Sequence, residues 1–141
     1  MIKNIILGEE ITITTPNKVG ILAEVAMLLA NKGVNINAIL GYEAGMMGKV
    51  FLVTDANLMI INELKKKKYK MVKETEVILV DLENKPGAFK IVATEMKEHK
   101  IDIKYTYVTP CTCKMRGSSR MVLQTSDNEK AMALLSKYIT P

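Results

Sequence analysis

Asn17-Lys18-Val19-Gly20 returns as Asn84-Lys85-Pro86-Gly87, and the interval between the two glycines, 87 minus 20 or 67 residues, holds without a gap as far as Ile36 and Ile103. Leu22 falls on Phe89, Val25 on Val92, Ala26 on Ala93, Leu29 on Met96, Val34 on Ile101 and Ile36 on Ile103. A chain with such an interval builds one supersecondary unit twice. Positions 22, 25, 26 and 29 follow the i, i+3, i+4, i+7 rule of a helix with one buried face, so each copy predicts the same amphipathic helix. After it, Gly33 to Ile39 and Lys100 to Tyr105 alternate apolar and polar residues, the period of a strand covered on one side.

The copies then part in a loop, Glu43 to Gly48 in the first and the longer Pro110 to Ser119 in the second. The strand Val50 to Asp55 aligns with Val122 to Asp127 at an offset of 72, 127 minus 55, which makes the second loop five residues longer. Asp55 and Asp127 are placed to cap second helices over Asn57–Lys67 and Asn128–Lys137. Tyr69 to Glu74 is a fourth strand, and Glu76 to Leu82 opens the second copy, so strand-helix-strand-strand-helix-strand is read twice, over 1–74 and 75–141. After Tyr138 only Ile139, Thr140 and Pro141 remain, too few for a full fourth strand, whereas Ile2 to Leu7 precede an opening strand at Glu10 to Thr15 and have no assignment. Residues 2–7 are expected to add to the second copy's sheet, covering an edge that invites aggregation.

Composition narrows the function classes. Apolar residues make up 48% of the chain, but with five Tyr, two Phe and no Trp the core must rest on Ile, Val, Leu, Met and Ala. The net charge of +5 is spread among interspersed Lys and Glu, which does not indicate nucleic acid. The run Lys65 to Lys68 is the exception; it reads as cations closing a helix C-terminus rather than as a phosphate or membrane contact. Cys111 and Cys113 are too close for a useful disulfide and fit a reducing cytosol. The apolar start before Gly8 is too short for a signal peptide, and no stretch approaches the roughly 20 apolar residues that span a bilayer. A cytoplasmic location away from membranes is expected.

The strand-to-helix turn is the best-repeated feature, and backbone N–H groups there have no partner within the helix. Gly20 and Gly87 let a ligand approach the backbone, and a carboxylate suits the positive end of the helix dipole. Pro86 presets the second turn. Asn17 and Asn84 each offer a donor and an acceptor, as a zwitterion requires, although Asn and Gly also serve simply as turn and cap residues.

Thr15-Pro16-Asn17-Lys18-Val19-Gly20-Ile21-Leu22, and still more Asp81-Leu82-Glu83-Asn84-Lys85-Pro86-Gly87-Ala88-Phe89, resembles the opening of ACT domains, continuing through Gly33-Val34-Asn35-Ile36 and covering the chain as a tandem pair. The resemblance implies an α+β fold of two tandem ferredoxin-like βαββαβ units, each an antiparallel sheet with helices on one face. It also implies a non-catalytic regulatory protein that binds a free amino acid where units pair. Its partners would be further copies, as a homodimer or higher homo-oligomer, and a biosynthetic enzyme. Carried over by position, Asn17, Lys18, Gly20, Ile21 and Leu22 line one site and Asn84, Lys85, Pro86, Gly87, Ala88 and Phe89 its counterpart, with Asn35, Asn37, Asp102 and Lys104 reaching in from a partner unit. Val19 departs from the pattern, where Pro is usual, which favours the second site.

Other chemistries have little to work with. The single histidine, His99, reads as a solvent-facing helix-end residue, and zinc wants four N or S ligands. No metal and no cofactor are expected. Neither a P-loop, a nucleophile elbow nor an acid-base pair is visible, so the chain reads as a non-enzyme. RNA binding on such a fold needs aromatics on the central strands, and Tyr105 and Tyr107 have no matching pair in the other copy. A metallochaperone would carry cysteines at the turn. The rival reading is a structural regulatory subunit that dimerises and docks on a metabolic enzyme without a ligand.

Overall fold

The computed structural model describes residues 1–67, 69–110 and 118–140, so Lys68, Cys111 and Cys113 lie outside the described residues. The elements run in the order β1 (Ile2–Pro16), α1 (Ile21–Asn31), β2 (Ile36–Ala44), β3 (Met47–Thr54), α2 (Asn57–Lys66), β4 (Met71–Glu83), α3 (Ala88–Glu98), β5 (Ile103–Pro110), β6 (Ser118–Thr125) and α4 (Asn128–Ser136). They form two compact units: a first, Glu9–Thr75, and a second, Met1–Gly8 with Glu76–Pro141. β1 and β4 each contribute residues to both.

Within the first unit the strands lie in the order β2-β3-β1-β4, with β1–β3 and β2–β3 antiparallel. Alternation along β1 and β3 turns Ile11, Ile13, Val50 and Leu52 toward the helices. They bury against Val25, Leu28 and Leu29 of α1 and Ile60, Ile61 and Leu64 of α2. The second unit has the order β1-β4-β6-β5, and Ile78, Val80, Met121 and Leu123 meet Val92 and Met96 of α3 and Ala131 and Leu135 of α4. Here residues 2–8 of β1 hold the sheet position that the start of β4 holds in the first unit. Ile2 and Ile5 are buried in that core, the Thr140 amide donates to the Ile2 carbonyl at 3.0 Å, and the Glu83 amide donates to the Met1 carbonyl at 2.8 Å. The ferredoxin-like α+β fold expected from the sequence is therefore the one observed, twice.

Five local readings are corrected. Residues 2–7 are not separate from the opening strand at Glu10 to Thr15; β1 is one strand of 15 residues. The buried face of α1 is Ile21, Val25, Leu28 and Leu29; Leu22 and Ala26, which the sequence placed in it, are exposed, Leu22 by 48%. The segment read as a loop over 43–48 is mostly ladder, with Ala44 paired to Met47 across a two-residue turn whose Gly45 has a φ of 64°.

The fourth correction is the offset of β6. Val50 faces Ile13 as Met121 faces Val80, so the interval is 71 (121 minus 50), not 72. The polar corners agree: Asn57 Oδ1 accepts from the Thr54 amide and hydroxyl while its Nδ2 donates to Glu9 O, and Asn128, Thr125 and Glu76 repeat the set. The slip arose because Val50, Phe51, Leu52 and Val53 are all buried, leaving no alternation to fix the register. Asp127 does cap α4, accepting from the Lys130 amide at 3.1 Å. Asp55 instead accepts the Asn35 amide at 3.1 Å.

Candidate functional site

In the first unit the chain leaves β1 at Pro16 and enters α1 through Gly20, whose φ of 98° and ψ of −1° are cheap only for glycine. No side chain caps this helix. The first helical bond is Glu24 N–H to Gly20 O at 2.9 Å, so the amides of Ile21, Leu22 and Ala23 meet no acceptor among the described residues. A Cβ built on Gly20 would touch nothing within 4 Å. The corner is open.

Beside it lies a cavity of about 290 Å³, near the lower end of small-molecule sites. One wall is the turn and the start of α1, from Asn17 to Ala23; the other is the β2–β3 hairpin at Gly41–Glu43 and Gly48–Val50. The sequence supplies the fit between these walls. A Cβ on Gly41 would stand 3.0 Å from Leu22 Cδ2, so Leu22 lies close on the hairpin at a position where glycine gives it room. The Asn17 side chain lies beside Gly48, its Oδ1 3.7 Å from where a Cβ would stand, and the Asn17 amide donates to Met46 O at 2.9 Å.

The cavity wall carries both signs of charge. Lys18 brings an ammonium group, Glu43 brings a carboxylate, and the uncapped amides add donors without charge, whereas Lys49 alternates with the helix-facing Val50 and borders the cavity through its backbone. Lys18 stands 3.4 Å from Glu24 and is largely exposed, a loose pairing that a ligand carboxylate can displace. Tyr42 is stacked on Phe51 with ring centroids 5.9 Å apart, which stiffens the hairpin wall. Donors on one wall and a carboxylate on the other suit a molecule bearing a carboxylate beside an ammonium.

The second unit repeats the backbone corner with part of it covered. Gly87 has a φ of 90°, and α3 likewise has no side-chain cap. The Ala88 amide donates to Lys85 O at 3.3 Å, and Lys85 Nζ is bound to Glu83 Oε2 at 2.6 Å. That ammonium, hydrogen-bonded to Glu83, holds its carboxyl below the usual range. Met1 Cε lies 3.8 Å from where a Cβ on Gly87 would stand, so the methionine side chain sits over the turn. Ala88 is buried in the core, whereas Phe89 is half exposed.

Asn17, Lys18, Gly20, Ile21 and Leu22 thus come together around one cavity. Asn35 and Asn37 do not join them: they sit at the other end of α1, where Asn35 Nδ2 donates to Asn37 Oδ1 at 2.9 Å. Asp102 holds the equivalent corner of the second unit, its amide donating to Ser126 Oγ at 3.0 Å, and Lys104 is exposed on β5. The hairpin residues Gly41, Tyr42, Glu43, Gly48 and Lys49 were not foreseen. Two glycines around a tight turn were the available signal, and the reading of 43–48 as a loop hid it. Among the described residues no helix is long and apolar enough to cross a membrane, and no group of three or more His, Cys, Asp or Glu could hold a metal ion.

No family model matches the chain, and no curated protein matches it. Solved structures do match in fold. Protein BT0572 from Bacteroides thetaiotaomicron superposes with a TM-score of 0.84 at 23% identity, over 96% of this chain and 90% of that one. The ligand-free regulatory subunit of aspartate kinase from Thermus thermophilus gives 0.69 at 13% identity, over 99% of both chains. Aspartate kinase from Clostridium acetobutylicum gives 0.56 at 18% identity, over 99% of this chain and 35% of that one. The chain has the tandem ACT-type fold found in regulatory subunits.

Proposed function

We propose that the protein is a non-catalytic sensor that binds a free amino acid at the first strand-to-helix turn. The observation that carries this reading is the open corner at Gly20, with three uncapped amides beside a cavity of about 290 Å³ whose wall holds Lys18 and Glu43. The ligand carboxylate accepts from the helix amides and draws Lys18 from Glu24, while Glu43 receives the ammonium. The second turn serves architecture, because Met1, the Lys85–Glu83 pair and the Ala88–Lys85 bond occupy it.

The fold shared with a regulatory subunit described in a ligand-free form supports a regulatory role. Output passes through association. A ligand that clamps the β2–β3 hairpin to α1 fixes β2, an edge strand with mostly exposed side chains, and so biases how copies of the chain, or a biosynthetic enzyme in the cytoplasm, pack against it.

The test is a thermal-shift panel of the common amino acids on the full chain. A ligand at 100 times its Kd stabilises the folded state by about 2.7 kcal/mol, so one or a few amino acids should give a saturable rise in Tm. A flat response across the panel would favour the purely structural subunit.

A further inference from the structure

A larger cavity, about 560 Å³, runs along α1 where the segment after α2 packs against it. It shares only Lys18 and Ile21 with the turn cavity. Ile21 and Leu28, 7% and 8% exposed, give it an apolar floor, and Met27, 63% exposed, stands in its lining with its thioether in reach of a ligand. Its polar groups include Glu24, Tyr69, Lys18 and Lys67. The Tyr69 hydroxyl donates to Glu24 Oε2 at 2.7 Å, tying the segment after α2 to α1 and fixing the shape of the wall. That bond first, and the charge of Lys18 second, hold the Glu24 carboxyl below its usual range.

The charges are unequal. Glu24 already has a phenol on one oxygen and an ammonium near the other. Lys67 has no ion pair within 4.0 Å among the described residues, and Lys18 at 3.4 Å is farther from Glu24 than the 2.7–2.9 Å of a close charge-assisted bond. Two cations therefore share one carboxylate, a local excess of one positive charge. The fold does not require this arrangement. At the interval of 67, Glu24, Met27 and Leu28 correspond to Ile91, Thr94 and Glu95, and the second unit ties its helix to the chain's end through Tyr138 and Glu95 instead.

We propose that this cavity is a second ligand site, built for a small organic anion, a carboxylate or a phosphate monoester. Its charge meets Lys67 and Lys18, and its carbon body lies on Ile21, Met27 and Leu28. The site adjoins the turn, with which it shares Lys18 and Ile21, and goes beyond the sensing role proposed there.

The test is a 15N NMR titration of the full chain with butyl phosphate, hexanoate and, as a charge without a carbon body, inorganic phosphate. At least one organic anion should give saturable shifts at the Glu24, Met27, Leu28 and Tyr69 amides, with the one that saturates identifying the headgroup. Inorganic phosphate should bind about tenfold more weakly. Lys67→Ala and Met27→Glu should each weaken the organic anion by roughly tenfold while leaving any amino-acid response at Gly20–Ala23 in place. Shifts that stay linear with both organic anions, binding of inorganic phosphate as tight as theirs, or undiminished binding to Lys67→Ala would overturn the proposal.

Discussion

Ile2 has no exposed surface and packs in the core of the second unit with Val80, Val92 and Leu135, residues far from it in sequence. Truncating it to alanine deletes three buried carbons. At about 0.8 kcal/mol per carbon the transfer loss is about 2.4 kcal/mol, and the cavity left behind brings the cost to about 3–4 kcal/mol. The backbone bonds of Ile2 to Thr140 survive the change, so the loss is one of packing. Native-state hydrogen exchange locates it. Amides of β4 beyond Glu76 and of β6 should lose protection equivalent to about 3–4 kcal/mol, while those of β2 and β3 stay within about 0.5 kcal/mol. Leu7→Ala is the control; its side chain is 41% exposed and should cost less than about 1 kcal/mol. Unchanged protection in β4 and β6, or an equal loss in β2 and β3, would refute the reasoning that the N-terminal segment completes the second unit's core.

Three further outcomes are expected. Gly20→Ala places a Cβ in open space but at a φ of 98°, so denaturant unfolding should show a loss of about 1–2 kcal/mol from backbone strain alone, and a neutral effect would contradict the turn geometry. Asp81 and Arg120 face each other across β4 and β6 and share two bonds, at 2.9 and 3.1 Å, but both are partly exposed; Asp81→Asn should cost no more than about 1 kcal/mol, with the loss shrinking in high salt. Burial, and then the bond to Glu24, raise the Tyr69 hydroxyl to about 12. A pKa raised on folding favours the protonated phenol, so its stabilising effect is full below about pH 10 and is lost between about 10 and 12. Ultraviolet titration should show a late phenolate that Tyr69→Phe removes and Glu24→Gln shifts downward.

The fold was legible because both copies retain the same helix and the same turn at one interval, and the apolar period of each helix is independent of its partners. Legibility failed where a pattern carries no phase. The uniformly buried Val50–Val53 let the register slip by one, although Thr54-Asp55-Ala56-Asn57 against Thr125-Ser126-Asp127-Asn128 held the information to correct it. The helix face was misplaced at two positions: Ala26 is exposed, and Leu22 is apolar for a different purpose, to lie against Gly41 rather than in the core. The turn residues of the site were readable as a motif. Its hairpin wall was not, since Gly41, Glu43 and Gly48 meet the turn only through the β1–β3 and β2–β3 ladders. Nor could any spacing rule put Met1 over Gly87; that contact depends on which sheet takes the N-terminal strand.

The central claim is that free backbone amides at one glycine corner receive a zwitterion. Its most direct measurement follows the amides of Gly20, Ile21, Leu22 and Ala23 by NMR as the amino acid that best raises the Tm is added. The account predicts saturable downfield shifts at these four and at Gly41 to Glu43, with the Gly87 and Ala88 amides still. Shifts centred on Gly87, or spread without saturation, would contradict it.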